Sequence, residues 1–171
     1  MELRRLIESD LDSYYASRLQ AMASAPTAFL TSIEEERAQG PSRFAVSLDA
    51  NQDEQAIFGA VDKGRVVGSV GLLRQTKART AHKAWLWGVF VDSEYRAQGL
   101  AGKLIDLAIQ HAREKLGVKA IYLSVESTNR AARKLYESRG FRVWGVEPMA
   151  MFDGERFYDD DHMVLNLPTK E

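Results

Sequence analysis

The chain has 171 residues, which suits one domain over 1–171 with one hydrophobic core and one active site. Hydrophobic residues make up 45% and charged residues 27%, a balance that folds rather than stays disordered. Lys+Arg 23 against Asp+Glu 24 leaves a formal net charge of -1, which offers no global field for nucleic acid or an anionic membrane, and the count of Cys, 0, excludes disulfides, thiolate nucleophiles and Cys-ligated zinc.

After Met1-Glu2-Leu3-Arg4-Arg5 comes no apolar signal-type region, and no stretch approaches the ~20 apolar residues of a membrane span, so a cytoplasmic location is expected. Leu3 to Ile7 reads as a first strand. Ser9 then caps a helix running to about Ala23, with Asp10 and Asp12 in its first turn, where the helix dipole favours acids. Pro26 breaks that pattern, and Thr31 or Ser32 before Glu34-Glu35-Glu36 starts a second helix, ended or bent by Pro41. Gln55 to Val61 and Arg65 to Leu73 are β-rich runs joined by Asp62-Lys63-Gly64, an antiparallel hairpin. Ala84 to Val91 is apolar on both faces, as a central strand covered on both sides must be, and Gly88 inside it predicts a bulge or a close backbone approach.

From Gly99 to Leu116, Leu100, Leu104, Leu107, Ala108 and Ala112 recur at helical spacing. Gly117 ends this helix and Lys119 to Glu126 forms the next strand, so a parallel strand–helix–strand unit spans roughly Ala84 to Glu126. Ser127 or Thr128 caps a short helix ending at Gly140, and Phe141 to Val146 with His162 to Leu167 close the chain as two strands. The fold class that follows is α/β, with helices flanking a mixed sheet, antiparallel early and parallel in the middle.

Metal and triad chemistry find little to use. His82, His111 and His162 are the only histidines, with no HExxH and no close pair, and no Gly-x-Ser-x-Gly elbow is present, so no metal site is expected. His111 sits at the apolar edge of its helix and reads as a packing residue.

Arg96-Ala97-Gln98-Gly99-Leu100-Ala101-Gly102 lies between the central strand and the first turn of the long helix, where free backbone N–H groups and the dipole favour phosphate. Gly99 and Gly102 would let a ligand approach the main chain; a tight turn alone is the plainer alternative. The segment is no P-loop, because Ala97 and Leu104 stand where that motif needs Gly and Ser or Thr. The dinucleotide pattern fails as well, at Ala101 and Leu104.

The pattern R/Q-x-x-G-x-G/A after a strand resembles the GCN5-related N-acetyltransferase (GNAT) superfamily. Downstream, Asn129-Arg130-Ala131-Ala132-Arg133-Lys134-Leu135-Tyr136-Glu137-Ser138-Arg139-Gly140-Phe141 is similar to that family's N-x-x-A-x-x-L-Y-x-x-x-G-F segment. The resemblance implies a GNAT-like fold with the parallel central pair splayed at the cofactor site, and acetyl-CoA as donor. It puts the pyrophosphate on the N–H groups of Ala97 to Gly102 and the pantetheine along Val89, Phe90 and Val91 as an added strand. Asn129 and Tyr136, two helical turns apart, share a helix face. In the family pattern Asn129 contacts the pantetheine region and Tyr136 protonates the departing thiolate; packing beside Leu135 is the structural alternative for Tyr136.

Many family members carry a carboxylate on the central strand near its bulge, but Ala84 to Val91 has no ionisable side chain. Glu126 and His82 are the substitutes as general base, with water relayed to bulk an equal candidate. Backbone N–H groups around Val89 to Val91 would meet the developing oxyanion. On the acceptor side, Phe29 in Pro26-Thr27-Ala28-Phe29 walls a pocket by resemblance. Phe157-Tyr158-Asp159-Asp160-Asp161-His162 offers Tyr158 and Asp159 with two further carboxylates to a cationic amine, or else forms a solvated turn. The expected partners are an amine-bearing small molecule or a peptide N-terminus, with no nucleic acid and no membrane, and a homodimer is left open. Without Cys, transfer is direct in a ternary complex. A CoA-binding sensor without turnover is the rival, and a nucleotide-binding protein a weaker one.

Overall fold

The two residues Lys63 and Gly64 take φ of 49° and 78°, the left-handed pair that a two-residue hairpin turn needs. They join β2 (Gln55–Asp62) to β3 (Arg65–Arg74) in the computed structural model, which describes residues 1–168. The other strands are β1 (Glu2–Arg5), β4 (Lys83–Val91), β5 (Ala120–Glu126), β6 (Arg142–Phe152) and β7 (Phe157–Asn166). They form one seven-stranded sheet in the order β1-β2-β3-β4-β5-β7-β6, antiparallel throughout except for the parallel β4–β5 pair.

The helices are α1 (Leu11–Ser24), α2 (Ile33–Gln39), the single turn α3 (Ala45–Leu48), α4 (Leu100–Glu114) and α5 (Arg130–Glu137). Period-2 alternation in β2 divides the core between the two faces of the sheet. Ala56, Phe58 and Ala60 join Leu104, Ile105 and Ala108 of α4, while Ile57 and Val61 join Tyr14 of α1 with Phe44 and Leu48. Among the described residues, no helix is long and apolar enough to cross a membrane.

Several boundaries differ from the sequence expectation for local reasons. Ser9 does not cap α1; a 3-10 turn at Glu8–Asp10 precedes the helix, and Asp10 is tied to Arg4 at 2.7 and 2.9 Å. Neither Ser127 nor Thr128 caps α5, because Asn129 does so, its side chain accepting from Ala132 N–H at 3.1 Å. The two closing strands are longer than expected, so Phe157 to His162 lies within β7 and is not a turn.

Candidate functional site

The central sheet opens where the expected bulge falls. Opposite β3, the register passes from Gly71↔Trp87 to Ser69↔Phe90, leaving one extra residue in β4 at Gly88–Val89, and Gly88 has φ 61°. On its other side β4 pairs with β5 only over Lys83–Trp85. From Leu86 onward the edge of β4 that faces β5 is therefore free of strand pairing, between two otherwise central strands.

A cleft of about 450 Å³ fills this gap. Trp85, Trp87, Gly88 and Val89 line it from β4, Leu123 to Glu126 from β5, and Asn129, Ala132 and Tyr136 from α5. Phe29 and Leu30 come from the loop after α1, Met151 from β6 and Asp160 from β7.

At the C-terminal end of β4 the chain turns into α4 through Arg96 to Gly99. Arg96 Nε donates to the Val91 carbonyl at 3.0 Å, fastening the loop to the strand it leaves. Ala97 and Gly99 both have positive φ, 61° and 71°. Gly99 is the N-cap of α4 and carries no side chain to cap it, and no acidic residue occupies the first turn. The first N–H groups of a fifteen-residue helix thus lack intrahelical acceptors and a local anion, the condition for binding phosphate. A Cβ at Gly102 would overlap the Arg139 guanidinium, the far end of a flexible side chain that would have to shift to make room. Arg139, to which the sequence reading gave no role, sets its guanidinium beside the first turn of α4, where it pairs with Asp106 at 3.5 Å; its place directly before the Gly140-Phe141 end of the family-like segment was the available signal.

Tyr136 is 6% exposed and packs edge-on to Phe141 at 6.0 Å. Burial pushes its phenol pKa well above the ordinary tyrosine value. Asn129 shares the cleft with Tyr136, as their spacing predicts, although its side-chain oxygen is engaged in the cap. Glu126 ends β5 at the cleft, its carboxylate accepting from Thr128 N–H at 2.9 Å and Thr128 Oγ1 at 2.8 Å. His82 precedes β4 at the strand-paired end, away from the opening, so the fold does not bring it to the cleft.

The three adjacent aspartates separate along β7. Asp160, opposite Glu126 in the β5–β7 register, lines the cleft, and burial first, then Glu147 and Glu126 against an opposing His162, pushes its carboxyl above the usual range. Asp161 is buried against Arg133 and Ser127, each at 2.8 Å. Asp159 accepts from Met149 N–H at 2.9 Å and lines, with Tyr158, a separate cleft beside Glu126. The Tyr158 hydroxyl donates to Asp153 at 2.6 Å and accepts from Arg156 at the same distance. Tyr158 and Asp159 are therefore not part of the main cleft. His162 links Ser124, a residue of the cleft, at 2.9 Å to Glu147 at 2.8 Å.

Sequence reasoning also passed over Arg18. Tyr14, Ser17, Arg18, Ala21 and Met22 form the buried stripe of α1 at helical spacing, so Arg18 could have been marked as a cation facing inward. It reaches the cleft beside Gly88.

The family model described as Acetyltransferase (GNAT) family matches residues 14–141, more than half of the chain. The chain belongs to that family. It is 30% identical over 113 residues to N-acetyltransferase 8 of Homo sapiens, covering 66% of this chain and 49% of that protein. It is 38% identical over 74 residues to the spermine/spermidine N(1)-acetyltransferase of Bacillus subtilis, covering 43% and 47%. The chain thus spans about half the length of these curated relatives. The fold is shared with yncA from Salmonella typhimurium, solved with its cofactor acetyl-CoA, at a TM-score of 0.80 and 18% identity over 100% of this chain and 97% of that one.

Proposed function

We propose that the chain is an acetyl-CoA-dependent N-acetyltransferase that moves an acetyl group directly to a primary amine. One observation carries this reading: the unpaired edge of β4 and a buried tyrosine line one cleft, and the same strand runs on through a short loop into the uncapped N-terminus of α4. When bound, acetyl-CoA supplies an acetyl thioester, so the C–S bond breaks, an N–C bond forms, the amine loses a proton and the departing thiolate gains one.

The residues present fit this group. Backbone N–H groups of Ala97 to Gly102 hold the pyrophosphate, with Arg139 adding a cation, and the free edge of β4 at Val89 to Val91 takes the pantetheine amides as a sheet takes a strand. Tyr136 delivers the proton from its Oη. Raised by burial, this phenol is protonated at neutral pH, so it holds a proton to give and is not a base. The Glu126–Asp160 wall receives the proton of the amine; burial raises the carboxyl of Asp160, which favours its protonated form. N–H groups at the β4 bulge meet the charge that develops on the carbonyl oxygen.

Isothermal titration with acetyl-CoA, followed by a screen of primary amines for release of free CoA thiol, tests the proposal. Tight binding and amine-dependent thiol release are expected. Binding without release by any amine would favour the sensor reading, and absence of binding would end both.

A further inference from the structure

Glu36 is fully buried, with 0% of its surface exposed, in a loop-side helix that contains no other buried residue. A carboxylate in such a place needs cations, and it has two. Arg18 grips it in a fork, Nε to Oε1 and Nη2 to Oε2, both at 3.0 Å, and Arg43 donates to Oε2 at 3.1 Å. One carboxylate between two guanidinium groups leaves the cluster with a surplus positive charge.

Arg18 is the member of the cluster that reaches the cleft. Arg18 is only 9% exposed, and its guanidinium carbon stands 5.3 Å from the ring centre of Phe29, 5.0 Å from that of Phe44 and 5.9 Å from that of Trp87. Its third arm, Nη1, is not engaged by Glu36. It stands 3.6 Å from where a Cβ on Gly88 would lie, so the glycine that makes the bulge also leaves room beside this arm. Burial works against the Arg18 charge, but the Glu36 carboxylate together with the buried Tyr14 hydroxyl outweighs it and the group stays cationic. A pre-aimed guanidinium edge in an apolar, aromatic setting is a recognition site for a carboxylate.

The cleft is therefore polarised across the splay. Arg18 stands on the β4 side; Glu126 and Asp160 stand on the β5–β7 side. Between them Phe29, Leu30, Trp87 and Met151 offer apolar surface. We infer that the acceptor is a zwitterion, a free amino acid or close analogue with an apolar side chain, whose carboxylate is held by Arg18 while its amine lies toward Glu126 and Asp160. The inference rests on the N-acetyltransferase reading and narrows it. A polyamine fits this cleft poorly, because one of its ammonium groups would have to lie against the buried arginine.

The test uses L-leucine, L-methionine and L-phenylalanine, each with its carboxamide and its decarboxylated amine, and spermidine as the polycation. Each is titrated calorimetrically into protein saturated with CoA and assayed with acetyl-CoA for thiol release. The three acids should bind and react at least tenfold better than their carboxamides, since a charge-assisted fork is lost in the latter, and the difference should appear in KM rather than kcat. In the paired variant Arg18→Gln with Glu36→Gln, which keeps hydrogen bonding while removing both charges, that ratio should fall toward one. If the paired variant does not fold, Arg18→Lys keeps the charge without the fork and should reduce the ratio. Carboxamides or spermidine bound and acetylated as well as the acids, or a ratio unchanged in either folded variant, would overturn the inference and leave the acetyltransferase reading intact. Binding by none of the acids overturns it too. Failure to bind acetyl-CoA at all is the distinct result that removes the underlying reading.

Discussion

Burial keeps the Tyr136 phenol protonated, so it holds a proton to donate, while the phenolate that donation leaves is the charged form the same burial disfavours. Burial is the cause of its raised pKa, so Tyr136 stays protonated well past neutrality and any alkaline fall in activity must come from another group. Tyr136→Phe removes one oxygen and keeps the edge-on contact with Phe141. General acid catalysis is worth about 10²- to 10⁴-fold, so single-turnover rates should fall within that range while acetyl-CoA affinity and the melting temperature stay near the parent values. Full-speed single turnover in this variant would leave Tyr136 as a packing residue. The position of Tyr136 was legible from its spacing to Asn129, because two helical turns fix a shared face whatever the surroundings. Arg18 and Glu36 were harder to pair from the sequence. They are 18 residues apart on different helices, and the acidic run Glu34-Glu35-Glu36 reads as dipole compensation until the fold separates its members. Glu35 closes the capping box with Ser32, while Glu36 turns inward to the arginines.

At the scale of single elements, patterns repeated over several residues were readable and choices between neighbours were not. The hairpin turn, the bulge at Gly88 and the α4 stripe each rest on a periodicity or on a glycine whose backbone state has few substitutes. The aspartate run failed to declare itself because β7 sends its members to different surroundings: Asp161 to the partly exposed Arg133, Asp159 to a backbone amide of β6 and Asp160 to the cleft. The α4 N-terminus makes a firm prediction of its own. Gly99 has φ 71° and nothing lies within 4 Å of where its Cβ would be, so bulk there meets no neighbour and the strain is confined to the backbone. Gly99→Val puts a β-branched side chain into a left-handed conformation, at a cost of about 1–3 kcal/mol, and re-aims the first N–H groups of the helix. Acetyl-CoA affinity should drop at least tenfold by calorimetry in a variant whose circular dichroism is unchanged. Parent affinity in that variant would mean that these N–H groups do not hold the pyrophosphate.

Across the whole molecule, the sheet is two blocks, β1 to β4 and β5 with β7 and β6, whose direct ladder is the short Lys83–Trp85 to Ala120–Tyr122 match. Helix α4 supplements that ladder, since its buried stripe packs in one cluster with Ala84 and Leu86 of the first block and Ile121 and Leu123 of the second. A ligand that lies as a strand in the splay would satisfy the free edge of β4 and tie the blocks together, so its effect on stability should exceed the loop it touches. By mass action, acetyl-CoA at about 100 times its Kd adds about 2.7 kcal/mol. For a domain of this size that corresponds to a rise in Tm of roughly 5–10 °C. Hydrogen exchange locates the effect. Amides of Leu86 to Val91 that aim away from β3, together with those at the start of α4, should exchange readily in the free protein and become protected when acetyl-CoA is added. Amides shared between β2 and β3 should open only with global unfolding in either state, and so slow by the same factor as the overall gain in stability. Protection at the start of α4 without any at the β4 edge would show that the pyrophosphate binds while the pantetheine arm does not enter the splay as a strand, and Tyr136 would then stand apart from the thioester.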